Sequence, residues 1–155
     1  MPAGEIPIVC EPRAVKVAPR TTYEAQFSLP FAVAAAFLDG RVGLGTFTPE
    51  RLSDDRVLAL AARVAHVVDP ASTFPNGFPG WVRVRLADGR VLEAREPDGR
   101  GSLARPLPPN AIVEKFRDNA GRALSAEAVD ALERAVLALE GAPDMRKVIF
   151  GCRVY

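Results

Sequence analysis

An α+β fold is what the sequence predicts, with a small antiparallel sheet and helices over residues 1–104 and a helical segment over residues 105–155. Three patterns carry that expectation. From Trp81 the apolar residues alternate, with Val82, Val84 and Leu86 on one face and Arg83 and Arg85 on the other, and Asp88-Gly89 turns the chain into Val91 and Leu92. From Phe31 to Leu38, between a cap at Ser28 and a stop at Gly40, a continuously apolar run rich in alanine reads as a buried helix. Beyond Pro106, Pro108 and Pro109, the residues Val129, Leu132, Val136 and Leu139 recur at spacings of 3, 4 and 3, the period of a helix face.

Taken in order, the chain opens with β-branched residues Ile6, Ile8, Val9, Val15 and Val17 set among Pro7, Pro12 and Pro19. This combination predicts short or edge strands, because proline cannot donate to a ladder. Ser28 is an N-cap, Pro30 suits a first turn, and Gly40 supplies the stop. A helix apolar on every side, as Phe31 to Leu38 reads, is expected to be buried all round. Thr48-Pro49 begins a second helix, and Ser53-Asp54-Asp55 restarts it into Val57 to Ala62. Arg63 to Asp69 predicts a strand closed by Pro70.

Prolines and glycines between residues 96 and 109 mark a loop or internal boundary. After it, Ile112 and Phe116 form an i, i+4 pair, and Ser125 caps an amphipathic helix over 126–140 that ends at Gly141. No internal repeat is present.

Composition sets the limits on function. The 155 residues are 48% hydrophobic and 25% charged, and 20 basic side chains against 19 acidic ones leave a formal charge of +1. Such a chain folds as an ordinary globular domain, and it lacks the basic field on which nucleic-acid binding usually rests. Cys10 and Cys152, one near each end, match no zinc spacing and are expected as buried or free thiols. The first residues have neither a basic region nor an apolar core, so no signal peptide is expected. The longest uncharged stretch, Ala25 to Leu38, is too short to span a bilayer, and a cytoplasmic location is expected.

Candidate chemistry is sparse. His66 is the single histidine and sits among valines, so a metal site or dyad built on histidines is not expected, and neither is a cofactor. Asp54, Asp55 and Asp69 lie at helix or strand ends, where capping accounts for them. Ser28 lacks a positioned base and reads as a cap. Gly40, Gly43 and Gly45 follow a helix, whereas phosphate cradles follow a strand and open one. Arg105 to Pro109 has the form of a polyproline ligand, but a loop entering a helix needs the same prolines. Arg83 and Arg85 are placed to meet an anion, or simply to line a solvated strand face. On these patterns alone, no catalytic residue and no metal ligand is assigned.

One stretch carries more than composition. Glu24 to Gly40, reading EAQFSLPFAVAAAFLDG, resembles the EAxFSLPYAVAAALLDG signature of the MmgE/PrpD family. The family includes 2-methylcitrate dehydratase, cis-aconitate decarboxylase and iminodisuccinate epimerase. The resemblance continues in order through Thr48-Pro49-Glu50, Phe78-Pro79-Gly80, Leu86 to Arg90, Arg105-Pro106-Leu107 and Glu114 to Arg117.

It implies that the chain corresponds to the C-terminal part of much longer proteins. There, a helical domain precedes an α+β lid, and the last helices return to the helical domain. By that resemblance the family's acid, histidine and lysine proton-transfer residues lie outside this chain. One position carries over, the aromatic of FSLPY that lines the substrate cleft, and here it is Phe31, without a hydroxyl.

The function implied is the C-terminal domain of a lyase or isomerase of small di- or tricarboxylates. It would be inactive without a separately encoded helical partner and would bind a small carboxylate only with that partner. A non-catalytic binding or self-associating domain derived from the family is the alternative, and a gene fragment that merely folds is a third reading. The apolar stripe of the last helices also predicts a homodimer. No nucleic acid and no membrane is expected as a partner.

Overall fold

The structure, a computed structural model, describes residues 1–146. Cys152 therefore lies outside the described residues. Among these, the chain forms eight α-helices, three 3-10 turns and one two-stranded antiparallel sheet, which is the expected α+β class. Two compact units follow each other, Met1–Gly99 and a second that begins at Arg100.

The first unit opens on a 3-10 turn, Ala3–Glu5, and two short helices, α1 (Ile6–Val9) and α2 (Arg13–Val17). The expected N-terminal strands are therefore corrected to helix. Pro7 sits in the first turn of α1 and Pro12 is the N-cap of α2, positions at which a missing N–H costs nothing. With no neighbouring strand to pair with, β-branched propensity does not decide the outcome.

Helix α3 (Thr22–Gln26) is capped by Thr21, whose side chain accepts from the Glu24 amide at 3.1 Å. Helix α4 (Leu29–Asp39) is bounded as its sequence predicts, by Ser28 and by Gly40 in the left-handed region at φ 73°. It is not buried all round. Pro30, Phe31, Ala34 and Ala35 are inside, but Phe37 is 62% exposed and Leu38 43%, because only one face meets the rest of the unit.

Thr48 and Asp54 cap the short helices α5 (Pro49–Leu52) and α6 (Asp55–Ala61). The core is small and alanine-rich. Ala25, Phe31, Ala34, Ala35, Val57 and Ala61 are fully buried, with α4 packed mainly on α6 and with Phe47, Leu52, Leu58 and Leu60 around them. Alanines on both facing helices let the backbones approach closely, so this core tolerates little added volume.

Residues 63–69 form no strand and pair in no ladder, a second correction. Their backbone groups find other partners. The Arg13 guanidinium donates to the Ala62 and Val64 carbonyls at 2.8 Å each, Met1 N donates to Val67 O at 2.8 Å, and Asp69 N donates to Met1 O at 2.8 Å. Once these groups are satisfied, the β propensity of the valines has no ladder to join.

The hairpin forms where its alternation predicts. Strand β1 (Gly80–Arg85) pairs with β2 (Val91–Glu96), in a register running from Gly80 opposite Glu96 to Arg85 opposite Val91. The turn is a three-residue loop with Gly89 at φ 86°, Leu86 N donating to Arg90 O at 2.9 Å and Gly89 N to Leu86 O at 3.1 Å. This is the glycine-bulge variant of the hairpin turn, and it needs a residue without a Cβ at that position.

In the second unit α7 (Pro109–Ala120) and α8 (Ala126–Leu137) pack on each other, with Pro109 opening α7 and Ser125 capping α8. Arg117 on α7 reaches Asp130 at 2.9 Å and Glu133 at 2.6 Å on α8. The expected single helix over 126–140 stops at Leu137 and is followed by a 3-10 turn, Leu139–Gly141. Its stripe divides accordingly: Val129 and Leu132 are buried, whereas Val136 is 50% and Leu139 39% exposed.

Candidate functional site

The position that the family signature singles out stands at the N-terminal end of α4. Ser28, 1% exposed, makes two bonds from one hydroxyl: it accepts from the Phe31 amide at 3.0 Å and donates to the Lys16 carbonyl. Lys16 answers with its side chain, whose Nζ donates to the Phe27 carbonyl at 2.7 Å while the residue is 91% removed from solvent. The end of α2 is thereby tied twice to the junction of α3 and α4. Phe31 is fully buried beneath this clasp, its ring centroid 6.4 Å from that of Phe47. In this unit Phe31 is a core residue, surrounded by Ala34, Ala35 and Val57.

At the other end of α4, Asp39 pairs with Arg51 at 2.5 Å, Arg51 with Asp54 at 2.6 Å, and Asp54 with Arg56 at 3.0 Å. The Arg56 side chain, with its backbone amide and Arg51 adding to it, holds the Asp54 carboxyl down at about 2. An acid held there is a cap and an ion-pair partner, not a proton shuttle at neutral pH. Because Asp54 binds protons less readily folded than unfolded, its contribution to stability is present above its ordinary value of 3.8 and is lost as pH falls through about 2. The melting temperature is therefore expected to drop on acidification from pH 4 to 2. Asp54→Asn, which keeps the cap but not the charge, should flatten that drop, and an unchanged acid slope in the variant would contradict the assignment.

His66 is half-buried, with Nε2 3.9 Å from Glu11 Oε1, and the other Glu11 oxygen accepts from the Arg13 amide at 2.8 Å. Cys10 is 1% exposed with its thiol against the Met1 sulfur at 3.2 Å, and burial pushes its pKa up, away from the thiolate a nucleophile needs. Asp69 is likewise held low, first by the Ala71 amide and then by Arg95. Among the described residues no group of three or more His, Cys, Asp or Glu is placed to hold a metal ion.

On the hairpin, two guanidiniums lie over the Trp81 ring, Arg83 at 5.0 Å and Arg95 at 4.9 Å from its centroid. Its indole N–H donates to Glu93 at 2.7 Å, Arg83 pairs with the same Glu93 at 3.2 Å, and Arg95 with Asp69 at 2.9 Å. Arg85 shares this face and is exposed.

The sequence candidates are thus scattered. Ser28 and Asp54 are caps, Gly40 ends a helix, and Arg105 to Pro109 lead into α7. Two features were not foreseen: the buried Lys16, and Arg95 stacked on Trp81. The second follows once the register is known, since Trp81 stands opposite Arg95.

A family model described as the MmgE/PrpD C-terminal domain matches residues 1–141. Cis-aconitate decarboxylase of Homo sapiens is 29% identical over 128 residues, covering 81% of this chain and 26% of that protein. Its Mus musculus counterpart is 27% identical over the same shares. The chain thus spans about a quarter of the length of these curated relatives. No helix among the described residues is long and apolar enough to cross a membrane.

Proposed function

Because the chain belongs to the MmgE/PrpD family and matches its C-terminal domain, we propose that it is the C-terminal part of a lyase or isomerase of small di- or tricarboxylates, active only with a helical catalytic partner. The observation that carries this reading is the match over residues 1–141 to one domain, beside relatives of which the chain covers only 26%. In this reading residues 1–104 are a lid and 105–155 a segment whose helices α7 and α8 dock on the partner. Phe31, which the resemblance assigns to the substrate cleft, is in this reading the core residue behind the cleft wall, since its own ring has 0% exposure.

Removal of a proton beside a carboxylate, with loss of water or carbon dioxide, needs a positioned acid and base. Asp54, Asp69 and Asp88 are held down by backbone amides and arginines, and Glu50 and Glu127 by backbone groups and the Thr48 and Ser125 hydroxyls. In this reading the partner supplies the proton transfer. The purified chain is expected to turn over neither cis-aconitate, methylcitrate nor iminodisuccinate. Addition of the helical portion of a family member should restore turnover of one of them. Robust turnover by the chain alone would contradict the reading.

A second reading, a self-associating domain, is favoured by the apolar end of α8, where Val136 is 50%, Leu137 72% and Leu139 39% exposed. A two-fold pairing of this patch would cover it in the absence of a partner. Val136→Asp, at a position that is not part of the buried helix contact, should convert a homodimer into a folded monomer, read by light scattering and circular dichroism. A wild-type chain that stays monomeric at high concentration would exclude the homodimer.

A further inference from the structure

We propose that the outer edge of β1 docks an extended segment of a partner chain in which acidic and apolar residues alternate. Leu86 and Arg90 form a hydrogen-bonded pair next to the turn, and hydrogen-bonded and open pairs alternate along an antiparallel ladder. Trp81, Arg83 and Arg85 therefore occupy the open pairs, and their backbone N–H and C=O groups point away from β2. Among the described residues none pairs with this edge. Two strands alone are marginal in water, and an edge with outward N–H and C=O groups is a template for another strand.

Side chains specify what that strand must be. On one face Arg83 pairs with Glu93 and Arg95 with Asp69, whereas Arg85 has no ion-pair partner among the described residues and leaves this face with an excess of positive charge. On the other face Val82 is 45% and Leu92 52% exposed, an apolar strip left in water. A third strand beside β1 places alternate side chains next to Arg83 and Arg85 and the intervening ones next to Val82 and Val84. Acidic residues complement the first set and apolar residues the second. A second copy of β1 is the poorer occupant, since antiparallel self-pairing centred on Arg83 or Val84 sets arginine against arginine.

The test uses the full chain and its single tryptophan, titrated with the acetylated, amidated peptide Ser-Val-Glu-Val-Glu-Val-Ser. Three controls accompany it: the same peptide with Lys for Glu, the reordered Ser-Glu-Glu-Val-Val-Val-Ser, and oligothymidylate. The expected result is a saturable change in Trp81 emission with the alternating acidic peptide alone, and slowed amide exchange at Arg83 and Arg85. The double variant R83E/R85E should bind it about tenfold or more weakly, while R83K/R85K, folded to the same extent, should retain binding. Absence of binding, equal binding of the reordered peptide, or the same response to oligothymidylate would overturn the proposal, the last two because they show general attraction to anions.

Discussion

Phe31→Ala is expected to destabilise the first unit by about 3–5 kcal/mol, the range for deleting a fully buried ring from a core that cannot collapse around the loss. Phe31 is the largest of the completely buried side chains, and its neighbours Ala34, Ala35, Ala61 and Val57 are too small to fill the space. Whole-domain stabilities are only about 5–15 kcal/mol, so this single change should remove a large share of the total. Urea titration followed by Trp81, which lies in the first unit, measures it. A loss under about 1 kcal/mol would mean that the ring is not the centre of the core. Phe31→Tyr adds a hydroxyl to a site with 0% exposure, and it should also destabilise the isolated chain, by about 1–3 kcal/mol, unless the new group finds a partner.

Ser28→Ala is the second large effect expected, at about 1–3 kcal/mol. The serine hydroxyl satisfies both the Phe31 amide and the Lys16 carbonyl, and alanine would leave two buried polar groups without it. Ser28→Thr, which keeps the hydroxyl, should recover part of the loss in the same urea titration. A loss below about 0.5 kcal/mol for Ser28→Ala would contradict the assigned role of the two hydrogen bonds.

How much of this was legible depends on whether local chemistry decides the outcome. The cap residues Ser28, Thr48, Asp54 and Ser125 were readable because a side-chain oxygen beside a first-turn proline or acid has one good use. The hairpin was readable because period two and Asp88-Gly89 agree. Ile6 to Val17 and Arg63 to Asp69 were misread for one shared reason: a strand exists only if another strand pairs with it. Arg13 and Met1 instead occupy the backbone groups of the second segment.

At the candidate site, the resemblance located Phe31. The Lys16 clasp was invisible, since nothing near a lysine in sequence announces a carbonyl 11 positions away. The α8 stripe was legible as an apolar face in need of a cover, but period 3.6 does not say where the cover within the chain stops, which is after Leu132.

The central claim is that this chain is one part of a two-part protein, and the mass of the species in solution tests it most directly. Light scattering would be run on the chain alone, on the helical portion of a family member alone, and on their mixture. The predicted result is a new species in the mixture whose mass contains both chains in equal number, with loss of the Val136 patch from solvent seen by slowed amide exchange in α8. A mixture that scatters as the unchanged sum of its two components, at concentrations well above those used in the activity assay, would contradict the account.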